Sequence, residues 1–143
     1  MLRNEINHFF ELKQDSIGIP SKYLGGKLMI AELENGQKCW AFRSKQYVEA
    51  SVQNVVDYLK KRCESLPRKC VTPISAGYCP EIDTSGELKP EDAAYCHSLV
   101  SVLRWIVELG RIDINVEVSM LSSHLALPRE GHFDEILHIF GYL

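Results

Sequence analysis

Acidic side chains are the first candidates for chemistry in this 143-residue chain. Glu81 and Asp83 lie in one stretch, and Glu91 and Asp92 lie in another. Metal-assisted nucleotidyl transfer needs carboxylates that converge on one point. Neither pair sits in a strand–turn setting that would fix it, and the sequence contains no Asp-Asp dipeptide. We predict that both pairs are solvated, the second pair also favouring the positive end of a helix dipole.

A metal site would need cysteine and histidine residues at short, paired spacings. Cys63, Cys70 and Cys79 are spaced too widely for such a site. His132 and His138 are six residues apart and would point to different sides of a helix. The sequence therefore predicts no metal site and no resident cofactor.

A thiol nucleophile would need a cysteine whose sulfur meets a histidine ring. Cys96 and His97 are neighbours in a predicted helix, where adjacent side chains diverge by about 100°. Cys96 also falls on the apolar face, which favours a small buried residue. We predict no catalytic residue in this chain.

Basic side chains could contact phosphate groups. Lys60, Lys61 and Arg62 end a predicted helix, where cations also suit the negative end of the dipole. They are either a solvated helix terminus or a contact to a nucleic-acid backbone. Trp40 and Arg43, together with the nearby Lys45 and Tyr47, could form an aromatic–basic face.

The composition is that of an ordinary single domain. Hydrophobic residues make up 45% of the chain, charged residues 24%, and the net charge is -3. A free-standing nucleic-acid binder is more often basic. We find no signal peptide and no apolar run of about 20 residues, so we expect an intracellular protein without a membrane partner. The five cysteines are expected to be reduced.

Period-two and period-3.6 patterns predict the elements. Residues 23–33 and 38–43 are predicted strands, and Asn35-Gly36 between them predicts a hairpin turn in which both residues have positive φ. Gly25-Gly26 falls inside the first strand, where glycine marks a bulge or a close backbone approach. Residues 4–13 resemble the end of a helix.

Four helices are predicted after the hairpin, one from Tyr47 and three after a long loop at about 63–89. The later helices span 90–110, 114–126 with Asp113 as its cap, and 128–143 with Pro128 at its start. The loop is functional, a linker, or a sign that its packing partner is missing. The predicted fold class is α+β, mainly α.

Six short motifs follow one another along the chain. They are Tyr23-Leu24-Gly25-Gly26-Lys27-Leu28, Trp40-Ala41-Phe42-Arg43-Ser44-Lys45-Gln46-Tyr47, Val71-Thr72-Pro73-Ile74, the helix 94–105, Arg111-Ile112-Asp113-Ile114, and Val118-Ser119-Met120-Leu121-Ser122 followed by Pro128, His132 and Tyr142-Leu143. This order resembles copia-type retrotransposon reverse transcriptases after their catalytic Tyr-x-Asp-Asp turn. The likeness covers about residues 6–143, although Ile112 replaces the usual proline and Ser101 the usual glycine.

The resemblance implies a partial palm, thumb and connection of a polymerase. Residues 1–46 would be the end of the palm with the primer-grip hairpin, 47–89 a thumb-like helix and loop, and 90–143 a three-helix connection toward RNase H. The implied contacts to template and primer are Tyr23, Leu24, Gly25, Trp40, Arg43, Lys60, Lys61 and Arg62. Arg111, Asp113 and His132 would be structural signature residues.

The resemblance also places the catalytic carboxylates outside this chain. The polymerase acids would lie upstream of Met1, and the RNase H acids beyond Leu143. Magnesium would be expected only in the intact polymerase, and the partners would be an RNA/DNA template–primer and the missing palm and RNase H domains. We therefore expect the isolated chain to be inactive.

Two other hypotheses remain open. The apolar faces of the three C-terminal helices would also suit a non-enzymatic module that binds a protein or nucleic acid. A non-functional retroelement relic is the third possibility, and it would be expected to have a poorly packed core.

Overall fold

The computed structural model describes Ile6, Phe9, Phe10, Gly18 and residues 21–68 and 70–143. Its strands are β1 (Lys22–Tyr23), β2 (Gly26–Glu32) and β3 (Lys38–Arg43), and its helices are α1 (Lys45–Lys61), α2 (Pro90–Glu108), α3 (Asn115–Ser122) and α4 (Glu130–Tyr142). Single turns of 3₁₀ helix occur at Pro80–Ile82 and Ile112–Ile114. With 52% helix and 13% strand, the predicted fold class of α+β, mainly α, is confirmed.

The chain divides into two compact units, Met1–Arg43 and Ser44–Leu143. In the first unit the three strands form an antiparallel sheet in the order β1-β2-β3. The Phe42 ring lies over Gly26, where a Cβ would come within 1.9 Å of it. Of the bulge or close approach predicted at this glycine pair, the structure shows an approach of the Phe42 ring to the Gly26 backbone, where a side chain would displace that ring.

Both hairpin turns differ from the predictions. The predicted strand 23–33 is interrupted, because Leu24 (φ 47°) and Gly25 (φ 91°) form a two-residue turn between Tyr23 and Gly26. In the second turn only Gly36 has positive φ, and its N–H donates to the Leu33 carbonyl at 2.9 Å. The prediction that Asn35 also has positive φ was wrong, since the loop is one residue longer than a two-residue turn.

The second unit has a continuous apolar core. It is formed by faces of α1, α2, α3 and α4 that the sequence pattern predicts, and its members include Val55, Leu59, Cys96, Leu99, Leu103, Ile106, Ile114, Leu121, Ile136 and Phe140. Cys96 is fully buried, as predicted. Burial raises the pKa of its thiol to about 11, which keeps it protonated at neutral pH.

The predicted starts of the last two helices were wrong. Asp113 does not cap α3, because both of its carboxylate oxygens bind the Arg111 guanidinium at 2.8 Å. Pro128 does not open α4, because its carbonyl accepts the Leu88 N–H at 3.1 Å and Arg129 forms an extended bridge with Glu87. Helix α3 also ends at Ser122, four residues before the predicted end.

The long loop has its packing partner within the chain, namely α4. Its hydrogen bonds to that helix run from Thr72 to Gly86, and Leu66, Tyr78 and Leu88 pack against the core. The buried Glu135 carboxylate accepts the Ser75 N–H at 2.9 Å. The hypothesis that this partner is missing is therefore overturned.

The predicted helix end at 4–13 lies almost wholly outside the described residues. Ile6 and Phe9 are helical, and the Phe10 N–H donates to the Ile6 carbonyl at 2.9 Å. None of the helices in the described part of the chain combines the length and apolar character that a membrane crossing requires.

Candidate nucleic-acid interface

Three cations form a row across one face of the sheet. Lys22 pairs with Lys27, and Lys27 pairs with Arg43, so one basic residue comes from each strand. Directly opposed residues project from the same face, with strands about 4.8 Å apart. All three side chains are exposed, and none makes an ion pair with a described residue. Opposed like charges destabilise a sheet, and a bound polyanion would relieve that repulsion.

The opposite face of the sheet is apolar and aromatic. It carries Trp40, Phe42, Leu28 and Ile30 at paired positions, and Tyr23 joins it through its pairing with Gly26. Tyr23 is 61% exposed and Trp40 56% exposed, so both rings are accessible. Trp40 and Arg43 are three residues apart and therefore lie on opposite faces. The single aromatic–basic face that was predicted to include both is not formed by the sheet.

The turn between β1 and β2 holds Leu24 in a left-handed conformation at φ 47°. This conformation costs a residue with a Cβ about 1–2 kcal/mol, whereas glycine adopts it freely. Gly25 at φ 91° is suited to its position, but Leu24 is not. Leu24 is thus a strained residue that is 53% exposed.

Arg62 joins α1 to α2. Its guanidinium donates to the Tyr58 hydroxyl at 2.8 Å and to the Asp92 carboxylate, and it lies 3.4 Å from Glu64. The hydrogen bond to Asp92 is the largest cause that raises the Arg62 pKa above its usual range, followed by that to Tyr58. The guanidinium is therefore already engaged by partners within the fold.

The two lysines beside it are more available. Lys60 and Lys61 occupy the last turn of α1, and both are exposed. Lys60 lies 3.5 Å from Asp57 in a surface pair, the kind that contributes at most about 1 kcal/mol. Lys61 has no ion-pair partner among the described residues. Of the three predicted backbone contacts on α1, Lys61 is the least engaged.

The signature residues Arg111 and Asp113 bind each other. Tyr142 donates to Asp113 at 3.2 Å, and the Arg111 guanidinium lies 5.6 Å from the centre of the Tyr142 ring. The Asp113 pKa is lowered chiefly by its hydrogen bond from Arg111. These three side chains connect the turn before α3 to the end of α4.

His132 is buried and fixes the start of α4 against the loop. Its Nδ1 accepts the Arg129 N–H at 3.1 Å, and its Nε2 lies 3.1 Å from the Pro80 carbonyl oxygen. Because a backbone N–H only donates and a carbonyl only accepts, Nε2 carries the proton of a neutral ring. Both ring nitrogens are thus used within the fold.

Asp83 is not the solvated carboxylate that we predicted. It accepts the Tyr78 hydroxyl at 2.5 Å and the Ser85 N–H at 2.7 Å. Burial alone would raise its pKa, but hydrogen bonds from Ser85 and Tyr78 outweigh that effect and lower it to about 2. Asp83 is therefore ionised at neutral pH, and burial and this contact raise the Tyr78 pKa.

Lys22 was not predicted as an interface residue, and Lys27 was included only as part of the motif at residues 23–28. Glu135 and His138 were not predicted as loop-binding residues. The strand register brings the two lysines into line with Arg43, and a two-residue turn placed at Leu24-Gly25 would have indicated it. The loop contacts join residues about 60 apart in sequence, so local spacing carries no indication of them.

In the described part of the chain, no three or more histidine, cysteine or acidic side chains are grouped so that they could hold a metal ion. Comparison with known proteins found no matching family model, no matching curated protein and no matching solved structure.

Proposed function

We propose that this chain is the template–primer gripping segment of a copia-type retrotransposon reverse transcriptase. It would bind an RNA/DNA duplex through phosphates, inside the cell, and would not polymerise by itself because it lacks the catalytic carboxylates. The ordered motifs support the family, and the polymerase palm, RNase H domain and magnesium would belong to the intact enzyme. The first unit would be the grip, and the end of α1 would belong to the thumb.

The observation that carries the proposed binding is the row Lys22, Lys27 and Arg43. These three cations make no ion pair with a described residue, and on successive strands they offer evenly spaced contacts to phosphate oxygens. Such contacts position a duplex without reading its sequence, and an RNA/DNA hybrid is held mostly through backbone and shape. The exposed rings of Tyr23 and Trp40 on the other face offer stacking surfaces for unpaired bases.

The test is binding of the purified chain to a fluorescent RNA/DNA heteroduplex, followed by anisotropy at low salt. We expect binding that weakens steeply as salt rises and that differs little between two duplexes of unrelated sequence. The same preparation should add no nucleotide to the primer when magnesium and deoxynucleotides are supplied. Measurable primer extension by the pure chain, or no binding at low salt, would contradict the proposal.

A groove between α1 and α2 favours the competing hypothesis of a protein-binding module. Its volume is about 420 Å³, and its walls include Tyr47, Val55, Tyr58, Leu99 and Val102. The apolar helix faces that suggested this module are otherwise buried in the core. An apolar partner segment would bind there with little dependence on salt, which separates this function from duplex binding.

A further inference from the structure

A cluster of nucleophilic and basic side chains lies outside the proposed interface, where the long loop meets α4. The Cys70 Sγ lies 3.7 Å from Nδ1 of His138. The Ser75 Oγ lies 3.3 Å from the same nitrogen, and the His138 Nε2 lies 2.9 Å from the Thr72 carbonyl oxygen. A thiol and a hydroxyl therefore face one ring nitrogen while the other nitrogen is held.

The Thr72 carbonyl determines which nitrogen of the neutral His138 ring carries the proton. A carbonyl oxygen only accepts hydrogen bonds, so Nε2 of His138 carries the proton. Nδ1 is then an acceptor that lies within reach of the Cys70 thiol and the Ser75 hydroxyl, and the thiol also lies 3.8 Å from the Pro67 carbonyl oxygen. A histidine oriented through one nitrogen and facing a thiol with the other is the arrangement that activates cysteine nucleophiles.

The fold creates this contact, since Cys70 and His138 are 68 residues apart. A Cβ at Gly141 would lie 3.0 Å from the Cys70 Sγ and 2.8 Å from the Pro67 carbonyl oxygen. The loop approaches α4 this closely because Gly141 has no side chain. Cys70 and His138 are both partly exposed, so a small reagent in solvent can reach the thiol.

We propose that Cys70 is a reactive thiol that His138 activates as a general base and that small disulfides modify. His138 Nδ1 takes the thiol proton as the Cys70 sulfur attacks one sulfur of the disulfide. The new S–S bond forms as the old one breaks, and the proton passes from His138 to the departing thiolate. Cys70 is oxidised to a mixed disulfide, and half of the reagent is reduced to a free thiol.

The test is timed alkylation of the whole chain by iodoacetamide, with the modification of each cysteine measured by peptide mass spectrometry. Cys63 and Cys79 are internal controls, because both are exposed and neither binds a histidine among the described residues. We expect Cys70 to react about tenfold faster than either, since a positioned base contributes at least that much. In denaturant this advantage should disappear, because it depends on the fold and not on the basic residues that precede Cys70 in sequence.

Two variants, His138→Asn and Ser75→Ala, test the role of the ring, and His97→Asn is their control. His138→Asn should lower the Cys70 rate to that of Cys63. His97→Asn, which removes a different histidine that also binds a backbone carbonyl, should leave the Cys70 rate unchanged. Ser75→Ala removes the competing hydroxyl and should raise the Cys70 rate without touching the Thr72 contact. If His138→Asn does not fold, the Cys70 rate in Ser75→Ala decides whether His138 activates the thiol.

Oxidised glutathione tests the disulfide chemistry itself, and in the folded chain the mixed disulfide should form first at Cys70. Equal alkylation of Cys63, Cys70 and Cys79 in the folded wild-type chain would overturn the proposal. The proposal would also be overturned if Cys70 reacted fast and its rate in Ser75→Ala and in every folded His138 variant equalled the wild-type rate. The proposal does not depend on nucleic-acid binding.

Discussion

At the scale of residues, carboxylates in this chain act as acceptors that hold loops and helix ends. Asp83 accepts hydrogen bonds from the Tyr78 hydroxyl and the Ser85 N–H. Asp113 accepts them from the Arg111 guanidinium, and Glu135 accepts one from the Ser75 N–H. Each has specific donors within the fold, and the lowered pKa values of Asp83 and Asp113 follow from those donors. Carboxylates used in this way contribute to stability, and their contribution depends on pH.

Asp83→Asn tests that dependence. The folded-state pKa of about 2 lies below the ordinary value of 3.8, so the carboxylate contributes stability above pH 4 and loses it as the pH falls toward 2. We expect the variant to melt below the wild type at pH 7 and the difference in Tm to shrink toward pH 2. Asp57→Asn is the control, since that carboxylate lies in an exposed surface pair. A difference in Tm that stays constant from pH 7 to pH 2 would contradict this explanation.

Gly131 is the second residue with a clear expectation. A Cβ there would lie 2.0 Å from the Asp83 Oδ2, which Tyr78 already holds in place. We expect Gly131→Ala to lower the free energy of unfolding by about 1–3 kcal/mol in urea denaturation, as overpacking does. Gly86→Ala is the matched control, because its nearest neighbour would be 3.4 Å away. Equal stability of the two variants would show that Asp83 moves aside freely.

At the scale of elements, the sequence predicted the helix faces that follow from apolar periodicity. It failed for helix starts and strand register, which depend on contacts between distant residues. The buried faces of α1, α2 and α4 follow from their apolar spacing. The predicted helix 90–110 ends at Glu108, and Gly110 at φ 109° is no longer helical. The predicted start of α4 was wrong because Arg129 pairs with Glu87 in an extended conformation. The register that aligns Lys22 with Lys27 depends on a turn at Leu24, a residue type that rarely forms one.

The long loop provides a prediction at this scale. Because the Glu135 carboxylate accepts the Ser75 N–H, this amide should exchange slowly with solvent although the loop has little regular structure. We expect Glu135→Ala to accelerate hydrogen exchange at Ser75. Asp134→Ala, one residue away on α4 and not bonded to a described loop amide, should leave that rate unchanged. Fast exchange at Ser75 in the wild type would show that the loop is not held by α4.

At the scale of the whole molecule, the net charge of -3 conceals an uneven distribution. Lys22, Lys27 and Arg43 occupy one face of a small sheet, while the acidic residues Glu32 and Glu34 lie at its far end. A chain that is acidic overall therefore carries a local row of cations that suits a phosphate backbone. The bulk composition argued mildly against nucleic-acid binding, and the strand register supplies the argument for it.

The proposed grip is best tested by the salt dependence of heteroduplex binding in a triple variant that carries Lys22→Gln, Lys27→Gln and Arg43→Gln. Each phosphate contact contributes a little under one to the slope of log affinity against log salt, so the slope should fall by about two to three. Lys38→Gln is the control, since Lys38 is in the same sheet but pairs with Glu32 on the other face. A loss of that size in the triple variant, with the control unchanged, is the predicted result. An unchanged slope in a folded triple variant would contradict the proposed grip.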